Sequence, residues 1–557
     1  MRQELAESIR TAVRELFGIS ISVELSRPAV QFGDYSTNAA LIVAAETTLK
    51  AREIAEKLAE KLRGDQSKIL AAVDVAGPGF INLKLQDRAL FTMVRTAIDK
   101  PYAGQTFIVE YSDPNPFKPL HAGHLYTTLV GDVITRLVEV GGANVIRINY
   151  SGDVGLHVAK SLWAIVKHLG GELAEKLADI PEQERSEWLG ARYVEGNTAY
   201  EEDEGAKAEI IALNQQVYKI HQSNDHDSPL ARIYWTARQW SYDYFRQLYQ
   251  QLQVVPFDRF ITEGEVTPLG LKTVREQLVK GVFTKSNGAI VFVGEPYGLH
   301  TRVFINSAGL PTYEAKEVGL SLTKWRDYHF DHSVIITANE QVQYMQVVLA
   351  AIQQFAPDIA GRTHHLTHGV VKLRGGVKMS SRQGNVVLAP DILKAAKKAG
   401  QASPTNPNAD TVLAAVKYAF VKSRLGNDII YDANEAIALE GNSGPYLQYA
   451  HARARSILAN AARPRLARAD RLQPDERALL LKLTEYPEVV GLSIQELMPH
   501  HLCTYLYELA QLFNYFYEHN RVVGDQREAV RLRLVKTYAD TLKKGLTLLG
   551  IIAPNRL

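Results

Sequence analysis

The alternation of apolar and polar residues predicts two different folds within the first 160 residues. Residues 1–100 contain helical stretches such as REIAEKLAEKL and short strand-like runs such as FINLKL, a mixture typical of a small α+β domain. From residue 106 an apolar run FIVEY leads to a helix from near Gly123 to Val140, a GGAN turn and a second run VIRINY. This order is a βαβ unit, which indicates a parallel sheet.

The rest of the chain predicts an interrupted sheet followed by helices. Residues 165–300 are rich in polar, charged and aromatic side chains and show no repeat, which indicates an insertion of undefined form. Strand-like runs return at SVIITAN and HLTHGVV, so we expect the sheet to continue there. After the polar turn SPTNPNAD, apolar residues keep the spacing of a helix, at Leu506, Leu509, Phe513 and Phe516.

Length and composition restrict the class of protein. A chain of 557 residues, 46% hydrophobic and 22% charged, is expected to form several globular domains. No apolar run approaches the roughly 20 residues that span a bilayer, and the N-terminal MRQELAESIR lacks the apolar core of a signal peptide. The lone Cys503 excludes a disulfide framework and a multi-cysteine zinc site. We therefore expect a cytoplasmic protein without membrane contact, and a monomer because no pattern indicates self-association.

The segment FKPLHAGHLYTTLVGD places His121 and His124 one helical turn apart, where a strand gives way to a helix. The pair suits a metal site, a structural role in the core, or a grip on phosphate. A metal site lacks further ligands nearby. The end of a strand and the start of a helix favour phosphate, because free N–H groups and the helix dipole attract anions there. Gly123 removes a side chain where a base or ribose can approach the backbone.

A second segment, GGVKMSSRQGNVV at 375–387, combines flanking glycines with Lys378, two hydroxyls and an arginine. This composition suits a cationic loop that closes on a triphosphate, although a solvated basic turn is the more common form of such loops. The two segments together resemble the HIGH and KMSKS signatures of class I aminoacyl-tRNA synthetases. Their order and their separation by a long insertion also fit that class.

Other segments resemble the arginyl-tRNA synthetase family over nearly the whole chain. In the catalytic part these are VEYSDPNPFKPLHAGH, NYSGDVGLHVAK and PTYEAKEVG. FGDYSTNAAL and GPGFINLKL resemble the N-terminal domain of that family, and GPYLQYAHARARSIL, LAQLFNYFYE and LLGIIAPNRL resemble its anticodon-binding domain. The resemblance implies ATP-dependent ligation of L-arginine to its tRNA isoacceptors through an arginyl-adenylate, with release of AMP and pyrophosphate.

The resemblance also implies an architecture and a set of bounds. A Rossmann-like parallel-sheet catalytic domain is expected between a small α+β domain that binds the tRNA elbow and an all-α anticodon-binding domain. The expected bounds are 1–100 for the N-terminal domain, 101–395 for the catalytic domain with its insertion at about 165–300, 396–439 for a connecting helical segment, and 440–557 for the anticodon-binding domain.

The same resemblance assigns the residues of the site. Catalysis is assigned to His121, His124, Lys118 and Lys378. ATP binding is assigned to His121, Gly123, His124, His368, Lys378, Met379, Ser380 and Ser381. Arginine binding is assigned to Glu110, Asn115, Tyr313, Glu317 and Gln341, in agreement with a guanidinium that offers five donors to rigid acceptors. Surface carboxylates at Glu110 and Glu317, and a core position for Tyr313, remain alternatives at this point.

The chain departs from the family pattern at two positions. Glu317 stands where aspartate is expected, which lengthens the reach of the carboxylate by one methylene. Ser381 replaces the second lysine of KMSKS, and the resemblance implies that Lys118, three residues before His121, supplies the missing cation. Mg²⁺ is expected to accompany ATP, since the motifs provide no protein cage for it.

Contacts with tRNA are expected in three places. The segment HARARSILANAARPRLARA carries five arginines, among them Arg453 and Arg455, and no acidic residue, although a solvated helix face explains such a run as well. Tyr515 is one of several tyrosines that can stack anticodon bases or pack in the core. Phe80 and Asn82 match family positions that contact the tRNA elbow.

Two other classes of protein remain open on the sequence alone. A small-molecule nucleotidyltransferase would share the His-x-Gly-His segment but would not need the arginine-rich end or the N-terminal module. A relative that binds tRNA without charging it is compatible with the two departures, but has no reason to keep His121, His124 and Lys378.

Overall fold

The computed structural model describes residues 2–65, 68–94, 97–374, 387–403, 407–461 and 471–557. The first part is a three-stranded antiparallel sheet in the order β1–β3–β2, with helices packed against it. Its elements are α1 (Arg2–Phe17), β1 (Tyr35–Thr37), α2 (Ala39–Ala45), α3 (Ala51–Asp65), β2 (Leu70–Ala76), β3 (Phe80–Leu85) and α4 (Asp87–Met93). The expected small α+β domain is confirmed.

The middle of the chain contains a five-stranded sheet in which every strand is parallel to its neighbours, in the order β11–β10–β4–β5–β6. The elements of this part are β4 (Thr106–Glu110), α5 (Ala122–Val140), β5 (Asn144–Ser151), α6 (Leu156–Leu169), α7 (Arg185–Glu202), α8 (Glu204–Ser223), α9 (Pro229–Gln251), β6 (Arg259–Thr262), α10 (Glu263–Val279), β7 (Thr284–Ser286), β8 (Ala289–Phe292), β9 (Arg302–Ile305), α11 (Tyr313–Tyr328), β10 (His332–Ala338), α12 (Val342–Gln353), α13 (Pro357–Gly361), β11 (Thr363–His368) and β12 (Val371–Leu373). The predicted βαβ unit is β4–α5–β5.

The strand order places a crevice at one point of this sheet. After β4 the chain moves to β5 and β6 on one side, and then returns to β10 and β11 on the other side of β4. The two connections therefore diverge beyond the carboxyl ends of β4 and β10. In open α/β sheets ligands bind at this switch point.

The insertion differs from the expected range of 165–300. Its first half is helical, from α6 to α9, but β6 within that range is the edge strand of the parallel sheet, paired with β5. The strand has only four residues, RFIT, which is too short to show the period of a strand in the sequence. A small antiparallel sheet of β7, β8 and β9 follows before α11.

The last part is helical, as expected. Its elements are α14 (Ala389–Ala402), α15 (Ala409–Val421), β13 (Ile429–Tyr431), α16 (Ala433–Ile437), α17 (Gly444–Asn460), α18 (Pro474–Thr484), α19 (Tyr486–Glu496), α20 (His500–His519) and α21 (Glu528–Leu548). The four residues that predicted a helix, from Leu506 to Phe516, are fully buried on one face of α20. Within the described residues, no helix combines the length and apolar character needed to cross a membrane.

Candidate active site

His121 and His124 lie at the N-terminus of α5, beyond the carboxyl end of β4. His121 is the N-cap residue: its Nδ1 accepts the Gly123 N–H at 3.1 Å, and Nδ1 of His124 accepts the His121 N–H at 3.3 Å. The rings stack with centroids 3.8 Å apart. Because each Nδ1 accepts a hydrogen bond, the proton of each neutral ring lies on Nε2. The pair thus offers two Nε2–H donors at the N-terminus of the helix.

Both histidines are neutral at physiological pH. Burial, Lys118 and His368 lower the pKa of His121 to about 4. Burial and the neighbouring His121 hold the pKa of His124 well below its usual range. A Cβ on Gly123 would lie 2.9 Å from the His121 ring, so glycine is needed here for the ring to cap the helix. Among the described residues no group of three or more His, Cys, Asp or Glu side chains can hold a metal ion, and none completes a metal site for this pair.

Of the second motif, residues 375–387, the structure describes only the last residue. Lys378, Met379, Ser380 and Ser381 lie outside the described residues. Where the description resumes, the Ala122 N–H donates to the Val387 carbonyl at 2.7 Å, and the Ala389 N–H donates to the Leu120 carbonyl at 2.9 Å. The chain leaving the second motif is therefore attached to the residues of the first.

His368 is at the end of β11 and supports α5 from the protein interior. Its side chain is buried, with Nε2 2.8 Å from the Thr127 hydroxyl and Nδ1 2.8 Å from the Gly369 carbonyl. Both ring nitrogens therefore have protein partners. In this arrangement His368 contacts α5, whereas the resemblance implies a direct contact with ATP.

A group of charged side chains, here called the acidic pocket, lies at the carboxyl end of β4 and on α11, and consists of Glu110, Asp113, Glu317 and Lys324. Glu110 ends β4 and accepts a hydrogen bond from the Lys324 ammonium at 2.7 Å. Asp113 accepts the Tyr150 N–H at 2.7 Å, which attaches it to β5. Three carboxyl groups thus share one ammonium.

Glu317 contributes a carboxyl oxygen without a hydrogen-bond partner to the acidic pocket, and its side chain also forms a hydrogen bond with Tyr344. It is 5% exposed, and its Oε1 has no hydrogen-bond partner. Burial and the Glu110 carboxylate raise the pKa of Glu317 to about 8, despite the opposing Lys324. Burial, Glu110 and Glu317 also raise the pKa of Asp113 well above its usual range. The pocket therefore offers a free acceptor and carboxyl groups that a bound cation would favour in the ionised form.

Asn115 lies between the acidic pocket and the start of α10. Its Oδ1 accepts the Gly152 N–H at 2.9 Å. A Cβ on Gly152 would lie 2.4 Å from that oxygen and 3.0 Å from Oε1 of Glu263. Glu263 forms a buried ion pair with Lys316 of α11. Asn115 is thus held rigidly near the carboxylate of Glu263, a residue that the sequence analysis did not single out.

Tyr313 and Gln341 complete the set assigned to arginine. Tyr313 begins α11 and is 54% exposed, so it is not a core residue. Gln341 ends the short helix that follows β10 and is partly exposed. Glu110 and Glu317 are buried, so they are not surface carboxylates. All five residues assigned to arginine lie on segments around the switch point, together with the unassigned Asp113, Glu263, Lys316 and Lys324.

The residues assigned to tRNA have mixed surroundings. Phe80 and Tyr515 are half exposed, at 42% and 52%, whereas Asn82 is buried at 7%. The Arg453 guanidinium donates to Asn514 at 3.1 Å and to the Tyr449 hydroxyl at 2.9 Å. Arg455 is partly exposed on the same helix, and the other three arginines of the basic segment lie outside the described residues.

Asn82 and Tyr515 line one cleft between the N-terminal domain and the helical domain. The cleft has a volume of about 1540 Å³. Arg477 of α18 closes its base, with ion pairs to Asp34 at 2.7 Å and Asp87 at 2.9 Å. The structure thus brings together two residues that the sequence assigned to separate parts of the tRNA.

Comparison with known proteins gives a consistent result along the whole chain. Residues 88–433 match the family model of the catalytic domain of class I (R) tRNA synthetases. Residues 2–85 match the arginyl tRNA synthetase N-terminal domain, and residues 447–557 match the DALR anticodon binding domain. The arginine–tRNA ligase of Frankia casuarinae is 30% identical over 614 residues, covering 99% of this chain and 100% of its own.

The chain belongs to the arginyl-tRNA synthetase family. The arginyl-tRNA synthetase of Thermus thermophilus has the same fold, with a TM-score of 0.80 and 25% identity over 100% of both chains. The enzyme from Plasmodium falciparum has a TM-score of 0.78 at 20% identity, over 100% of this chain and 99% of its own. The expected class I fold with its N-terminal domain and helical C-terminal domain is confirmed.

Proposed function

We propose that this chain ligates L-arginine to its tRNA isoacceptors at the expense of ATP, through an enzyme-bound arginyl-adenylate. Membership of the arginyl-tRNA synthetase family supports the reaction class. The observation that carries the choice of amino acid is the buried Oε1 of Glu317, which has no hydrogen-bond partner in the acidic pocket. One half of the site requires a cation and the other half offers donors to an anion.

The arginine guanidinium is bound by Glu317 in the acidic pocket. A guanidinium has donors in a planar fork, and a carboxylate with a free oxygen accepts from it in the ionised form. Glu110 is held by Lys324 and contributes negative charge at short range. Asn115, Tyr313 and Gln341 bind the rest of the amino acid at the mouth of the site. The longer Glu317 side chain reaches a pocket whose wall already contains Asp113.

The ATP phosphates bind at the N-terminus of α5. The Nε2–H groups of His121 and His124 and the dipole of the helix stabilise negative charge, and Gly123 adds no side chain beside them. Lys118 and the loop with Lys378, Met379, Ser380 and Ser381 supply cations and hydroxyls. His368 orients α5 through Thr127.

The reaction needs no protein nucleophile. The arginine carboxylate attacks the α-phosphorus of ATP, and the bond to pyrophosphate breaks. The terminal ribose hydroxyl of tRNA then attacks the arginyl carbonyl, and AMP leaves. The side chains act by alignment and by stabilising charge on the phosphates, and one well-placed donor contributes roughly 3 kcal/mol to the first step.

Mg²⁺ accompanies ATP in this proposal, bound to the oxygens of the triphosphate. The described residues form no group of three or more His, Cys, Asp or Glu that can hold a metal ion.

The tRNA lies along both outer domains in this proposal. Residues 1–100 hold the elbow with Phe80 and Asn82, and residues 440–557 hold the anticodon with Arg453, Arg455 and Tyr515. The cleft that contains both Asn82 and Tyr515 supports a continuous tRNA surface. We also propose a monomer that works in the cytoplasm.

The test is aminoacylation of a tRNA pool with labelled arginine, lysine or citrulline, in the presence of ATP and Mg²⁺. Arginine alone should be transferred, and Lys118→Met should slow this transfer far more than it weakens arginine binding. ATP turnover that does not depend on tRNA would favour a nucleotidyltransferase. Binding of tRNA without turnover would favour a relative that has lost the reaction.

A further inference from the structure

The helical insertion holds the backbone directly before Lys118. Phe117 has a φ of +66°, which is strained for a residue with a side chain. Its ring is buried in the core formed by helices α6 to α9, and its N–H donates to the Ser241 hydroxyl of α9 at 3.0 Å. The strain is thus balanced by contacts with the insertion.

Helix α7 of the insertion passes beside the same segment. A Cβ on Gly196 would lie 1.9 Å from the Lys160 carbonyl oxygen, so only glycine allows α7 to pack this closely on α6. At Gly190, two turns earlier, a Cβ would lie 3.9 Å from the Cβ of Pro119. The helix therefore runs within contact distance of the residue that follows Lys118.

Lys118 forms no hydrogen bond or ion pair with any other residue that the structure describes. Its Nζ lies 5.1 Å from the ring centroid of Tyr193 on α7. Burial lowers the pKa of Lys118, the Glu263 carboxylate raises it, and Lys160 lowers it. An aromatic face attracts such a desolvated ammonium while leaving its three N–H donors unused.

The Tyr193 ring, on α7, thus lies over Lys118, and the same helix also passes Pro119. No other aromatic ring among the described residues lies over the Lys118 ammonium.

We propose that Tyr193 is a positioning residue for the reaction, whose ring holds the ammonium of Lys118 at the N-terminus of α5. The inference rests on the proposed function, in which Lys118 meets the phosphates of ATP. Tyr193 acts through Lys118 and does not need to touch the phosphates. The helical insertion thereby contributes to the chemical step.

The test uses full-length variants in a double-mutant cycle. Tyr193→Leu removes the aromatic face, Tyr193→Phe keeps it, and each is combined with Lys118→Met. Tyr200→Leu is the matched control, because the Tyr200 ring lies on the same helix over another lysine, Lys160, with Nζ 4.1 Å from its centroid. Turnover, the KM for ATP, the Kd for arginine and the melting temperature are measured for each variant.

Tyr193→Leu should lower kcat roughly 3- to 30-fold with the Kd for arginine unchanged, and Tyr193→Phe should restore it. In the Lys118→Met background Tyr193→Leu should cause no further loss. An additive loss in the double variant, or an equal loss in Tyr200→Leu, would overturn the proposal. Wild-type turnover in Lys118→Met would overturn it together with the role of Lys118, whereas absence of arginine transfer by the wild type would refute the proposed function itself.

Discussion

The two halves of the candidate active site are built in opposite ways. At the N-terminus of α5, two histidines are kept neutral and present Nε2–H groups, so the half that we propose for phosphate depends mainly on dipoles. In the acidic pocket, three carboxyl groups surround one ammonium, and one carboxyl oxygen has no partner. The proposed phosphate half presents neutral donors, whereas the acidic pocket presents a buried carboxyl oxygen without a hydrogen-bond partner.

The difference indicates where specificity and rate arise. Neutral donors at a helix terminus stabilise any phosphate and do not distinguish amino acids. A buried carboxyl that is deprotonated only when a cation enters distinguishes arginine from a neutral analogue of the same shape. Variants of the first half should therefore change turnover, and variants of the second half should change the binding of arginine.

The largest effect is expected from His121→Asn. The Asn side chain keeps an acceptor for the Gly123 N–H and is a good N-cap, but it removes the Nε2–H donor. We expect kcat to fall roughly 100- to 1000-fold with little change in melting temperature. His121→Ala, which also removes the cap, should lose stability as well. A wild-type kcat in His121→Asn would show that the pair is only structural.

The next effect is expected from Glu317→Gln. The amide keeps the shape but not the charge, and the loss of a charge-assisted hydrogen bond should weaken arginine binding by about 10- to 150-fold. The discrimination against citrulline should fall at the same time, as measured by calorimetry. Glu314→Gln is the control, because Glu314 lies one turn away on α11 and pairs with Arg302. Equal weakening in both variants would contradict the assignment of Glu317.

A change of pH is expected to have a smaller effect on the affinity for arginine. In the free protein Glu317 has a pKa of about 8, and arginine binding requires its ionised form. The affinity for arginine should therefore rise about tenfold per pH unit from pH 6 and level off above about 8. Glu317→Gln should abolish this dependence. A flat profile in the wild type would show that the carboxyl is already ionised without arginine.

The raised pKa of Glu317 also makes the stability of the folded protein depend on pH. The folded-state pKa of Glu317 lies above the ordinary value of 4.5, so the folded chain binds this proton more tightly than the unfolded chain. Its contribution to the free energy of unfolding is fully present below about pH 4.5 and is lost as the pH rises through about 8. Stabilisation of the protein by arginine should accordingly be larger at pH 8 than at pH 6.

The smallest effect is expected from Arg453→Ala. Loss of one phosphate contact should raise the KM for tRNA a few-fold and reduce the slope of affinity against salt by about one. Turnover with saturating tRNA should not change. Lys272→Ala, an exposed substitution on α10, serves as the control. An unchanged salt slope would assign Arg453 to its contacts with Asn514 and Tyr449 alone.

The sequence placed His121 and His124 correctly at a helix N-terminus because the pattern that predicts this position is local. A strand, a turn and a helix start lie within residues 106–140, and their order alone places His121 and His124 at a helix N-terminus. The helical spacing from Leu506 to Phe516 was equally informative, because one helix face packs against one core. Both predictions succeeded because the residues that carry them are close together in the sequence.

The acidic pocket was predicted only in part because it joins distant segments. Glu110 and Lys324 are 214 residues apart, and no local pattern connects them. Glu263 follows β6, a strand too short to be recognised within the expected insertion. One feature of the sequence indicates that Lys324 belongs to the acidic pocket. Lys324 lies two turns after Glu317 on α11, which places both residues on the same face of that helix.

The measurement that tests this division most directly is exchange of labelled pyrophosphate into ATP, with arginine, citrulline or lysine, in the presence and absence of tRNA. If the acidic pocket selects the amino acid, we expect pyrophosphate exchange with arginine and none with the neutral citrulline. Equal exchange with arginine and citrulline would contradict the role of the acidic pocket. No exchange with any amino acid, despite measurable tRNA binding, would show that Glu317 and Ser381 mark a chain that has kept the fold and lost the reaction.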